Sequence, residues 1–279
     1  MISVIMSCYK SNQAYLKESI ESILGQTYGD FEFLIANNGV DFDLKAFLGQ
    51  FHDKRIKYID NGGNIGAAVS YDKLAALSQG EYVAIQDHDD ISLPHRLQVE
   101  KEALDNHPEV ISVSGLIHIF GKYEKDDGVP MEPSRVKEEL LFYQPIKQPT
   151  FMKRKWFCEQ YKYKPNWMIY DYEFWSRTRH IPHLIVDDIV LKYRKSAGNS
   201  TKERARKIRE EHARIIGGNL LSIGIYYPLL SCKALDPFNH DKVSEIELES
   251  WEQCKSHLLK HISPELYERK RIELLAKIA

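Results

Sequence analysis

The feature that most limits what this chain can fold into is a repeat of short apolar runs and helical periods between residues 2 and 120. The runs are ISVIMS (2–7), FEFLIA (31–36), IKYI (56–59), EYVAIQ (81–86) and VISVSGLIHIF (110–120). Their length and their β-branched and aromatic content read as strands. Between the first two, SNQAYLKESIESILGQ sets Leu16, Ile20, Ile23 and Leu24 along one helical face, offers Ser11 or Asn12 as an N-cap and stops at Gly25. Further helices are expected over 41–51, 66–78 and 95–106, the last ending before Pro108. Strands that alternate with helices predict an α/β domain with a mostly parallel sheet.

After residue 120 the alternation weakens. Polar loops surround EKDDGVPMEPS, an aromatic-dense stretch runs from Trp156 to Trp175, and residues 184–194 read as a further strand pair. From Ser200 the composition turns helical and charged, with a break expected near LDPFNHD (235–241) and a final helix or two through 247–278. A net charge of −2 leaves no overall basic field, so nucleic acid is not an expected partner. Cys8, Cys158, Cys232 and Cys254 have no metal or disulfide spacing and read as reduced. The uncharged stretch 215–232 is interrupted by glycines, Asn219, Ser222 and Pro228, and reads as a packed helix. TKERARKIREEHAR (201–214) reads as a solvated helix face, with docking on an anionic membrane surface as the alternative. The N-terminus has no signal-peptide pattern, so a cytoplasmic location is expected, at the inner face of the membrane if that basic run docks.

The segment YVAIQDHDDISLP (82–94) runs from apolar residues straight into carboxylates. In an open parallel sheet, ligands bind beyond the carboxyl ends of the strands. If the backbone stays extended there, Asp87 and Asp89 face one way and His88 the other. Two converging carboxylates repel unless a hard divalent cation lies between them, with substrate phosphate oxygens completing its shell. The plainer alternative is that Asp89, Asp90 or Ser92 caps the following helix and the rest is solvated loop.

SVIMSCY, LKESIESILGQTYGDFEFLIANNG, NGGNIGAAVSYDKLAALSQGEYVAIQDHDDISLPHRL, HPEV, KQPTFMKR, IYDYEFWSR and LKYRKSAGNS occur in that order over about residues 2–200. Together they resemble family 2 glycosyltransferases of the GT-A fold, of the bacterial surface-polysaccharide type. The resemblance implies a GT-A glycosyltransferase domain over 1–200, a mostly parallel sheet flanked by helices, with a helical C-terminal extension over 201–279. It implies an inverting hexosyltransferase that uses a nucleoside-diphosphate sugar, UDP favoured, with Mn²⁺ or Mg²⁺, and a glycan or glycolipid acceptor of cell-surface polysaccharide.

Carried over residue by residue, Tyr9 stacks on the nucleobase with Ser7 beside it, Asn38 and Asn64 bind the nucleotide, Asp87 contacts ribose or metal, and Asp89 is the direct metal ligand. Asp171 is the general base. Arg194 or Lys195 brings positive charge to the phosphates, and Trp156, Trp167 and Trp175 lie on the acceptor side, with core packing preferred for Trp175. The chain departs from the family where Asn37-Asn38-Gly39-Val40 replaces Asp-Asp-Gly-Ser, where Tyr170 replaces a glutamate, where Gln148 replaces a histidine, and where Ser196 follows Tyr193-Arg194-Lys195 in place of a late histidine context. These departures keep a second reading open, a catalytically idle domain that binds nucleotide or glycan. A nucleotidyltransferase of the same fold is disfavoured, since no Gly-rich basic loop follows the first strand.

Overall fold

The computed structural model describes residues 1–195, 202–225 and 245–278. They fall into two compact units. The first comprises Met1–Pro133, Ile146–Pro165 and Ile181–Ala197; the second comprises Ser134–Pro145, Asn166–His180 and Gly198–Ala279.

The first unit is organised by β1 (Ile2–Cys8), a strand buried along its whole length. It pairs in parallel with β2 (Phe31–Asn37) in the register Ile2↔Phe31, and on its other side with β4 (Tyr82–Ile85) in the register Ile2↔Tyr82. β3 (Ile56–Asp60) extends the parallel run beyond β2. Ile2, Val4 and Met6 of β1 and Phe33 and Ile35 of β2 pack against Leu16, Ile20 and Ile23 of α1 (Gln13–Leu24) in one core. Each such side chain contributes roughly 1.5–3 kcal/mol by leaving water. Asn12 is the N-cap expected of this helix, its Oδ1 accepting from the Ala14 and Tyr15 amides at 2.9 and 3.2 Å. The two other crossovers are α2 (Leu44–Gly49) and α3 (Ala67–Leu77).

Beyond β4 the sheet is mixed, with antiparallel pairs first. β4 pairs with β8 (Met152–Arg154), which pairs with β6 (Ser112–Gly121); with β9 (His183–Lys195) and β5 (Ile91–Ser92) beyond them, the described order is β3-β2-β1-β4-β8-β6-β9-β5, with β7 (Lys125–Asp127) on β6. Residues 183–195 form one strand, β9 (His183–Lys195), where the sequence reads as a strand pair. It runs parallel to β6 over most of that strand, with register shifts on either side of Leu116. The irregularity explains Gly115: a Cβ there would stand 2.6 Å from Val190 Cγ2 and 2.9 Å from the Asp188 carbonyl. β5 (Ile91–Ser92) and α4 (Arg96–Asn106) follow the acidic segment, and α6 (Lys155–Gln160) follows β8.

In the second unit, α7 (Tyr170–Arg177) packs on α8 (Lys202–Ser222). A separate core joins Phe142, Ala213, Ile216 and Leu220 to Trp251 of α9 (Glu245–Gln253), Leu258 of α10 (Lys255–Leu258) and Tyr267 of α11 (Pro264–Ile278). Trp251 stacks on Tyr267 with centroids 5.3 Å apart and meets Phe142 edge-on at 5.8 Å. This unit also contains α5 (Pro133–Glu139) from Ser134 onward. The break expected at 235–241 and Cys232 lie outside the described residues, as does the end of the 215–232 stretch. No described helix is long and apolar enough to cross a membrane. Cys8, Cys158 and Cys254 are free thiols.

Gly80, just before β4, is a direct test of this packing, since an added Cβ would meet the Ser3 amide nitrogen at 2.6 Å and the Ile2 carbonyl carbon at 2.8 Å. Both are backbone atoms, so no rotamer change relieves the clash. Gly80→Ala is expected to lower the free energy of unfolding by roughly 1–3 kcal/mol, read from urea denaturation.

Candidate active site

Two polar clusters lie at the carboxyl ends of β1, β2 and β4, both in the first unit. The first gathers Ser7, Asn38 and Asn64. Ser7 Oγ donates to Ser70 Oγ at 2.7 Å, Asn61 Nδ2 donates to Ser70 Oγ at 2.9 Å and to Asn38 Oδ1 at 3.2 Å, and Asn38 Nδ2 reaches Asn64 Oδ1 at 3.4 Å. Asn38 is buried, and its Oδ1 also accepts from the Ile65 amide at 3.1 Å. Its oxygen is therefore engaged by the protein, and Asn61, absent from the sequence-based candidates, is the residue that engages it. Asn37 Oδ1 accepts from the Gly39 and Val40 amides at 3.1 and 3.3 Å, an Asx turn. Gly39 has φ +104°, and a Cβ on it would lie 3.4 Å from both Tyr9 Cδ2 and Asn64. Tyr9 stands beside this cluster with 40% of its surface exposed, an accessible aromatic face at a strand end.

The second cluster is the acidic segment. β4 stops at Ile85 and the chain turns at His88–Asp89, so the extended path that would point Asp87 and Asp89 the same way is not adopted. None of the acidic residues caps α4, whose N-cap is His95 with no side-chain cap bond. Asp87 Oδ1 accepts from Tyr71 Oη at 2.7 Å. Tyr71 follows Ser70 on α3, so one helix ties the two clusters together. Asp90 is 1% exposed; its Oδ1 accepts from the Arg194 amide at 2.7 Å, while its Oδ2 is buried with no partner among the described residues. Burial, and then the neighbouring Asp87, push the Asp90 carboxyl up to about 9.

Arg194, on β9, grips this turn. Its Nε donates to the Asp89 carbonyl at 2.8 Å, and a terminal nitrogen pairs with Glu18 of α1. Its guanidinium lies 4.1 Å from the Tyr15 ring centroid and 4.5 Å from that of Phe120. Beneath the turn, Arg96 is wholly buried: Nη2 donates to the Ile85 carbonyl at 2.7 Å, Nη1 to Ser92 Oγ at 2.9 Å, and Nε to Glu100 at 3.1 Å.

Asp171 belongs to the second unit, in the first turn of α7, whose N-cap is Ile169. Glu211 of α8 receives the Met168 and Ile169 amides at 2.7 and 3.1 Å and so holds the start of that helix. Asp171 Oδ2 accepts from Gln144 Nε2 at 3.1 Å. Burial pushes the Asp171 carboxyl above the usual range, against hydrogen bonds from the Tyr172 amide and Gln144. Trp175 is fully buried, as core packing requires, whereas Trp156 is 48% exposed.

Residues 3–163 match the sequence model described as Glycosyl transferase family 2. Over 211 residues the chain is 32% identical to an uncharacterized glycosyltransferase of Methanocaldococcus jannaschii, covering 70% of each chain. Over 207 residues it is 32% identical to the O-antigen biosynthesis glycosyltransferase WbnJ of Escherichia coli, covering 70% of this chain and 79% of the relative. The fold is similar to that of residues 1–349 of Staphylococcus aureus TarS, solved with UDP-GlcNAc, with a TM-score of 0.63 at 15% identity over 99% of this chain and 89% of the other. The strand order, the polar clusters at the strand ends and these likenesses agree: the chain belongs to glycosyl transferase family 2 and has a GT-A type fold.

Proposed function

We propose that the protein is an inverting transferase that moves a hexose from a nucleoside-diphosphate donor, UDP first, to a glycan or glycolipid acceptor in cell-surface polysaccharide synthesis. The observation that carries this reading is the pair of polar clusters joined by Ser70 and Tyr71, one suited to a nucleoside and the other to its charged diphosphate. The names of relatives support the pathway: WbnJ is an O-antigen biosynthesis enzyme, and a putative colanic acid transferase of Escherichia coli is 28% identical over 148 residues. The UDP and UDP-GlcNAc complexes of TarS support the donor class.

In this reading Tyr9 stacks on the base, with Ser7, Asn38 and Asn64 around the nucleoside. Because Asn38 Oδ1 is already taken by Asn61 and Ile65, Asn38 serves by shaping the 61–65 loop as much as by touching the base. Asp89 and Asp87 would hold Mn²⁺ or Mg²⁺. The donor set is of the kind such a hard ion takes: carboxylate oxygens, with the rest of the shell completed by water and substrate phosphates. The buried Asp90 Oδ2 has no partner among the described residues, which suits a neighbouring cation. When bound, the metal offsets negative charge on the departing diphosphate.

Asp171 acts as the general base, taking the proton from the acceptor hydroxyl as it attacks the anomeric carbon on the face opposite the leaving group. Its raised pKa makes it a better proton acceptor than an exposed aspartate. Gln144 fixes the orientation of its carboxylate. Arg194 contributes mainly by holding the acidic turn. The enzyme would work at the cytoplasmic face of the membrane, with the exposed Lys207 and Arg214 of α8 toward anionic lipid.

The test is nucleoside diphosphate release from UDP-, GDP- and dTDP-sugars with Mn²⁺. Asp89→Ala and Asp171→Asn are each expected to lower turnover by about 10²-fold or more while leaving the circular dichroism spectrum intact. Tight UDP binding without release under any acceptor mixture would instead identify an idle binding domain.

Asp90 supplies a pH signature in metal-free protein. Its folded pKa of about 9 exceeds the unfolded value of 3.8, so the native state keeps a proton that the unfolded chain has lost. The resulting contribution is favourable at low pH and fades as pH rises from about 4 towards 9. Asp90→Asn carries no such slope, so its melting temperature relative to wild type should climb steadily between pH 5 and 8.5. Parallel curves would show that Asp90 is ionised in the fold.

A further inference from the structure

We propose that Gln86 is the positioning residue that sets the shape of the donor-holding turn, an inference that rests on the reading of that turn as the diphosphate site. Gln86 follows the last residue of β4 and is completely buried. Its Nε2 shares two hydrogens among the Asp90 carbonyl at 2.9 Å, the Asp87 carbonyl at 3.1 Å and Ser19 Oγ at 2.9 Å. A single amide group thus clips together the two ends of the DHDD segment. Ser19 Oγ in turn donates to the Asp87 carbonyl at 2.8 Å, fastening the clip to α1.

The orientation of this amide follows from chemistry. On its other side, Oε1 accepts from Arg96 Nη1 at 3.0 Å and Ser92 Oγ at 2.6 Å. A guanidinium can only donate and a backbone carbonyl can only accept, so the oxygen must face Arg96 and the nitrogen must face the turn. No other residue type of this size offers both functions. Glutamate would keep the bonds to Arg96 and Ser92 and lose every donor to the carbonyls; methionine would lose both sets.

The consequence is preorganisation. With the Asp87 and Asp90 carbonyls held by Gln86 and the Asp89 carbonyl held by Arg194, the backbone of the turn is set before donor arrives. Binding then does not have to order that backbone, a cost otherwise drawn from affinity.

Gln86→Glu is the discriminating variant. Hydrogen exchange of the full-length, metal-free protein is expected to rise by at least about tenfold in segment 86–91, the worth of one of the lost hydrogen bonds, with β1, α1 and α4 unchanged. The KM for nucleotide sugar should rise by about the same factor while kcat moves less. Exchange in 86–91 equal to wild type, or a rise spread evenly through β4 and α4 with kcat falling in proportion, would overturn the proposal. If Gln86→Glu does not fold, Ser19→Ala decides: it should loosen the same segment by about threefold, and unchanged exchange there would overturn the proposal equally. Titration of Asp89→Ala with UDP and Mn²⁺ separates the two ideas, since wild-type affinity in that variant would sink the donor-site reading while the exchange data still decide the role of Gln86.

Discussion

A guanidinium with no exposed surface must have its charge and its N–H groups answered inside the protein, and Arg96 meets that demand in a way that dictates the path of the chain around it. Its partners are the Ile85 carbonyl at the end of β4, Gln86, Ser92 in β5 and Glu100 one helical turn further along α4. Burial pushes Glu100 up to about 7, and only the adjacent Arg96 holds it down. Leaving either member of such a pair alone typically costs 3–5 kcal/mol, so strand end, acidic turn and helix start are specified together. The acidic turn is the loop that remains once those anchors are in place.

That arrangement explains how a sheet can present carboxylates at a strand end without losing its shape. The backbone carbonyls of the turn are bonded inward, to Gln86, or outward, to Arg194, while Tyr71 steadies Asp87. The repulsion is concentrated on Asp90, where burial makes ionisation costly and one oxygen has no partner among the described residues. Such a local conflict between burial and charge is of the kind found at functional sites.

Much of the first unit was legible from residue pattern. The strands from β1 to β4 and β6, their crossover helices and the Asn12 cap follow from local periodicity and capping chemistry, which act over a few residues. Less visible were the short strands β5, β7 and β8, which owe their conformation to their neighbours, and the unbroken β9, whose polar centre at Asp187 and Asp188 imitates a hairpin turn. At the site, the acidic segment stood out by composition, yet its path did not: a turn replaced the extended course because Gln86 draws the carbonyls of Asp87 and Asp90 together. Asn37 and Asn38 look interchangeable in sequence. In the fold one closes its own Asx turn and the other accepts from Asn61 and Ile65.

By itself, then, the sequence determined the strand–helix order, the position of the charge-rich turn after the fourth strand and the family to which the chain belongs, because these are written in short-range patterns and ordered motifs. Tertiary structure alone decided which polar groups meet. Asp90 and Arg194 lie 104 positions apart, and Gln86 and Ser19 67 apart. No local periodicity records such pairings; they exist because buried donors and acceptors must be matched once the sheet brings those segments side by side.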